Sequence, residues 1–175
     1  MIRKIFISVL LSLVLFGADN DLYDNSISLN IGYGATTTEY DTYSGALYGL
    51  QINRNLNTSE GKWNIDALQF AIDYANLNSM TRDYAVRVGS NALWYLENNT
   101  VWTPFVKVGL GLQYINSTTS IDTGNYFFGT LGAGLEYQLR GDFSIVGELT
   151  DHLTFSGENN TRLALGMKYS FGQSY

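Results

Sequence analysis

Along most of this chain, apolar and polar residues alternate with period two. The clearest run is Arg162 to Phe171, where Leu163, Leu165, Met167, Tyr169 and Phe171 share one face and Arg162, Ala164, Gly166, Lys168 and Ser170 share the other. Successive side chains of a strand point to opposite faces, so this pattern predicts a strand with one apolar side. Phe128 to Leu139, Phe105 to Tyr114 and Ser26 to Gly34 repeat it. Gly45 to Arg54, Asn64 to Leu77, Tyr84 to Leu96 and Phe143 to Phe155 are noisier versions. Clusters of Asn, Asp, Ser, Thr and Gly break the runs, and no helical periodicity of useful length follows Asp19.

These segments make eight strands, an even number, as a closed up-and-down antiparallel barrel requires. Arg140-Gly141-Asp142 reads as a tight turn and Glu97 to Thr100 as a short one, whereas Ala35 to Ser44 and Asn116 to Asn125 read as longer polar loops. Short turns at one end and long loops at the other are therefore expected. Asn55 to Lys62 is long for its end, and Asn76 to Arg82 is short for the other.

Which face lines the barrel decides the class of function. A soluble ligand-binding barrel turns its apolar face inward; a membrane barrel reverses this. Here the apolar faces carry Leu, Ile, Tyr and Met, while the opposite faces carry Gly32, Gly34, Gly49, Gly89, Gly109, Gly111, Gly132, Gly134 and Gly166. Eight strands leave an interior just wide enough for side chains to fill, so inward glycines make room for long residues from across the lumen. On a wet outer surface the same glycines weaken strands without benefit. The small and polar face is expected inside and the large apolar face against lipid.

That inversion places Arg87, Lys107, Arg162 and Lys168 in or near the lumen, with Asp73, Glu136 and Glu148 as partners and Gln51, Gln69 and Gln113 as bridges. The signs are roughly matched, as they must be where an unpaired buried charge is costly. The expected role is a structural network that plugs the barrel, because a selectivity filter needs a wider pore. Tyr33, Tyr48, Tyr74, Trp94, Trp102, Tyr114, Tyr137, Phe143, Tyr169 and Phe171 share the aliphatic face near strand ends, the pattern of interfacial belts.

Composition narrows the partners. A formal charge of −6 disfavours nucleic acid, whose binding needs surplus Lys and Arg. The absence of cysteine excludes disulfides, thiol catalysis and cysteine zinc sites, and one histidine leaves no transition-metal cluster. No cofactor is expected. At the N-terminus, Arg3 and Lys4 precede an apolar run from Ile5 to Phe16, then Gly17 and Ala18. That run is shorter than the ~20 residues of a spanning helix and reads as an export signal. The expected division is a signal peptide over 1–18 and a barrel domain over 19–175.

The stretch Thr103-Pro104-Phe105-Val106-Lys107-Val108-Gly109-Leu110-Gly111, the stretch Gly132-Ala133-Gly134-Leu135-Glu136-Tyr137 and the closing Met167-Lys168-Tyr169-Ser170-Phe171 resemble strands of the small OmpA/OmpX-type outer-membrane barrels. The resemblance implies a monomer in the outer membrane of a Gram-negative bacterium, contacting outer-membrane lipid. It also implies recognition by the barrel insertion machinery through Tyr169 and Phe171. The chain departs from the family in continuing past Phe171 with Gly172-Gln173-Ser174-Tyr175.

Small outer-membrane barrels include lipid A hydrolases, so His152 merits a test. Such a site needs a histidine to activate a serine hydroxyl. The same-face neighbour of His152 is Thr154, and Ser156 lies about 13 Å further along an extended strand. Parity also groups His152 with Glu148 and Thr150 on the inward face. The expectation is a rim histidine hydrogen-bonded to a loop, and a structural or surface-interaction protein without catalysis. A periplasmic ligand-binding barrel and a lipid A-modifying hydrolase using His152 stand as alternatives.

Overall fold

The computed structural model describes residues 25–37, 42–56, 65–77, 82–96, 102–117, 123–139, 142–155 and 159–172. Eight strands run in chain order: β1 (Asn25–Thr37), β2 (Thr42–Asn55), β3 (Ala67–Asn76), β4 (Arg82–Tyr95), β5 (Trp102–Ser117), β6 (Gly124–Gln138), β7 (Phe143–Thr154) and β8 (Asn159–Phe171). Each pairs antiparallel with its neighbours, and β8 returns to β1, so the sheet is a closed barrel. Closure leaves no strand edge with unpaired backbone groups. The export signal expected over 1–18 and the tail after Gly172 lie outside the described residues.

Polarity is inverted relative to a soluble barrel. On β1, Leu29 is 67% exposed and Ile31 63%, whereas Ser28 and Asn30 between them are buried. On β8, Leu163, Leu165 and Met167 face out while Arg162 and Lys168 are buried inside. All ten aromatics of the expected belts lie on the outward face, where Trp102 meets Tyr137 at 4.4 Å between ring centroids and Phe143 meets Tyr169 at 5.0 Å.

Three expectations need correction. The strand expected from Asn64 begins at Ala67, after a backbone bond from the Leu56 N–H to the Asp66 carbonyl at 2.7 Å closes the base of the connection. Ala35 to Ser44 is largely strand: Ala35 pairs with Ser44, Thr36 with Tyr43 and Thr37 with Thr42, since Thr and Tyr suit a pleated surface as readily as a loop. Consequently the longest connection, over 56–66, lies at the barrel end that holds Asn25, and the expected contrast of short turns and long loops fails.

The third correction concerns the interior, which is not uniformly small and polar. Near the end holding Thr37, Tyr43, Leu47, Leu77 and Ile115 form an apolar layer. Toward the opposite end, Ala67, Leu93, Phe105 and Val146 form another, against which Tyr95 packs. The inward glycines explain how the rings fit. A methyl at Gly111 would strike the Phe128 ring, and one at Gly134 would strike Phe105. Gly132 instead yields to the Lys107 stem, and Gly49 to the Asp73 carboxylate.

Candidate functional site

Between those apolar layers the lumen is charged. Lys107 on β5 donates from Nζ to Glu148 Oε2 on β7 at 2.8 Å, with both side chains only 3% exposed. Arg162 on β8 reaches across the lumen to Asp73 on β3, Nη1 to Oδ2 at 2.6 Å. Lys168 pairs with Glu136 at 2.8 Å nearer the Asn25 end. Arg87, 1% exposed, donates from Nε to Gln113 Oε1 on the neighbouring strand. The partners sit on different strands, so each bond ties one wall of the barrel to another.

Amides extend the network. Gln51 donates from Nε2 to Glu148 Oε1 at 2.9 Å, and its own Oε1 accepts from Gln69 at 3.1 Å and from Ser28 at 3.2 Å. Asn91 donates to Gln69 Oε1 at 2.9 Å. From Lys107 to Asn91 this chain touches six of the eight strands, with donors facing acceptors throughout. Low local polarity strengthens such bonds, although Asn91 Oδ1, Asp73 Oδ1 and Arg162 Nε are buried without a hydrogen-bond partner.

His152 lies in this belt rather than at the rim. Its ring stacks on Phe128 with centroids 4.5 Å apart, and Nε2 is 3.3 Å from Arg162 Nη1. A guanidinium has only donors, so Nε2 is the acceptor and the proton sits on Nδ1. A nitrogen turned toward a guanidinium is badly placed to take a proton from a hydroxyl nucleophile. The loop partner expected for His152 is replaced by strand residues.

Of the residues singled out from the sequence, Lys107, Glu148, Arg162 and Asp73 meet in the central belt, together with Arg87 and Gln113. Lys168 and Glu136 stand apart, in a vestibule of about 460 Å³ at the Asn25 end, where Tyr95 packs under the ammonium at 5.6 Å. Asn55, Asp142 and Ser144 also line that vestibule. Tyr169 and Phe171 lie outward at the end of β8, their rings 6.1 Å apart. Ser28, Asn91 and Phe128 were not singled out, although strand parity alone puts each on the inward face.

No family model matches the sequence, and no curated protein sequence matches it. Solved structures do match the fold. The crystal structure of Neisserial surface protein A superposes with a TM-score of 0.67 at 12% identity, over 84% of this chain and 97% of that one. Ail, the attachment invasion locus protein of Yersinia pestis, superposes at 0.57 with 14% identity, over 85% and 98%. The outer membrane enzyme PagL does so at 0.52 with 16% identity, over 82% and 98%. At these identities the likeness is one of fold: this chain has the architecture of small bacterial outer-membrane barrels.

Proposed function

We propose that this chain is an outer-membrane β-barrel of the OmpA/OmpX type, a monomer with a plugged lumen and a structural or surface-interaction role without catalysis. The observation that carries this reading is the inverted polarity. An apolar wall would cost free energy in water and saves it in hydrocarbon, while Lys107, Glu148, Arg162, Asp73, Lys168 and Glu136 are gathered inside as ion pairs. A soluble ligand-binding barrel needs the opposite arrangement. In this reading residues 1–18 direct export, the outward apolar wall meets outer-membrane lipid, and the insertion machinery reads the β8 end at Tyr169 and Phe171. The fold shared with Neisserial surface protein A and Ail supports the location.

The test is fractionation. The mature protein is expected in the outer-membrane fraction, with gel mobility that shifts on boiling; a soluble product with unshifted mobility overturns the proposal.

The likeness to PagL keeps a hydrolase in view, with His152 as its base. The buried stack on Phe128 and the guanidinium at Nε2 weigh against it. Mass analysis of lipid A from cells carrying the protein or its His152→Ala variant is expected to give the same spectrum. A shortened acylation pattern that disappears with the variant would establish the hydrolase.

A further inference from the structure

The two apolar layers of the lumen are not equivalent. The layer at the Thr37 end draws on nearly every wall. Leu47 comes from β2, Ala75 from β3, Ala85 from β4, Ile115 from β5 and Ala164 from β8, and Tyr126 of β6 packs against them. On β1, Gly32 sits between Leu47 and Ala164 in the register. A methyl there would strike the Leu163 carbonyl and the Ala164 backbone, so β1 leaves no gap at this level. On β7 the inward His152 is covered by the Phe128 ring, which also lies against Gly111 and Gly89. Seven walls thus meet in apolar contact, and a ring covers the eighth.

The layer toward the Asn25 end is one-sided. Among the described residues it is built by Ala67, Leu93, Phe105 and Val146, from β3, β4, β5 and β7. On the other walls, β1, β2 and β8 turn Ser26, Ser28, Asn53 and Lys168 inward, and Asn53 donates to Ser26 Oγ at 3.1 Å. Polar groups follow one another along this side into the belt. Lys168 lines the vestibule and is the register neighbour of Ser28. Ser28 donates to Gln51, and Gln51 donates to Glu148. An ion moving this way exchanges one set of donors and acceptors for the next. In the Thr37-end layer it loses its hydration with nothing in return, which is how an apolar constriction stops ions in a channel.

We infer that the apolar layer around Leu47 and Ile115, rather than the ion pairs, bars small inorganic ions from crossing this barrel. The inference rests on the outer-membrane reading above and says which part of the lumen is the plug. The layer is a hydrophobic gate, and the packed belt beneath it is a shut ion path. Wetting the gate opens that path. Unpairing a belt residue does not, because the gate stays dry.

The experiment is ion conductance of the barrel, purified from membranes, in planar lipid bilayers. Wild type is expected to carry no current above that of the bare lipid. Leu47→Ser with Ile115→Ser is expected to raise the current at least about tenfold, since hydroxyls admit water to the layer. Lys107→Met with Glu148→Leu is expected to stay silent behind the intact gate, as is Leu93→Ser with Phe105→Ser at the other end. Combining the Leu47, Ile115, Lys107 and Glu148 substitutions is expected to abolish the current again, because the path has then lost its charges. A gel mobility shift on boiling checks that each variant is folded, and Ile115→Thr replaces the serine pair should that pair fail to fold. A folded serine-pair variant without current overturns the inference. So does a current as large from the ion-pair variant or from the Leu93 and Phe105 variant, since either moves the barrier elsewhere. Membrane-bound protein with these results defeats this inference alone, whereas a soluble product defeats the outer-membrane reading as well.

Discussion

The central belt of the lumen and the apolar layers above and below it fill the same barrel in opposite ways. In the belt, Lys107, Glu148, Arg162 and Asp73 are held by directed bonds, and each has given up water for one or two partners. In the layers, Leu47, Ile115, Leu93 and Phe105 need only volume and contact. The two differ in how they fail. Removing one member of a buried ion pair strands the other, whereas truncating an apolar residue leaves a cavity whose cost depends on how far the neighbours collapse.

The sharpest way to break this comparison is Glu148→Leu, which strands the Lys107 ammonium and the Gln51 amide together. Urea titration of the detergent-solubilised barrel, followed by tryptophan fluorescence, is expected to show a loss of about 4 kcal/mol, of which adding Lys107→Met recovers most. A loss under ~1 kcal/mol would mean that water reaches the belt, since screened pairs are worth no more. In the apolar layer Phe105→Ala is expected to cost about 3 kcal/mol, at the low end for a buried ring because Tyr95 can move toward the vacated space. Here a second substitution at Glu148 should not simply add to the first, because both residues flank Gly134 and Phe105 lies two residues from Lys107 on the same face, so a coupling of about 0.5 kcal/mol or more is expected. The smallest effect falls on Lys168→Met. Its pair with Glu136 borders the vestibule and retains some exposure, so a change of at most about 1 kcal/mol is expected. A loss as large as that of Glu148→Leu would extend the dry belt to the barrel's end.

Much of this arrangement was legible in the chain. Period-two alternation in β8 and β5 gives the outward and inward faces directly, because one-residue slips would expose every charge. Glycine placement correctly indicated which face is crowded, yet not by what. Gly132 yields to the Lys107 stem as expected of a charged lumen, but Gly111 and Gly134 yield to Phe128 and Phe105. Inward rings follow from the shared parity of Phe128 with Thr130 and of Phe105 with Lys107. Pairing was beyond reach. Which carboxylate meets Arg162 depends on strand stagger around the closed barrel, and Asp73 lies 89 residues away in the chain. The loop lengths misled because Thr36, Thr37, Thr42 and Tyr43 suit either a loop or a strand.

The pairing of β8 with β1 carries a consequence for how the protein comes to exist. Asn25 meets Phe171, and the register runs unbroken to Thr37 beside Asn159. A chain lacking only β8 would thus present two open ribbons of backbone, each a template for a stranger. Contacts so distant along the polymer form late and slowly. β8, the eighth strand to be synthesised, is the one that makes the vessel self-contained, and until it arrives every copy is a hazard to its neighbours.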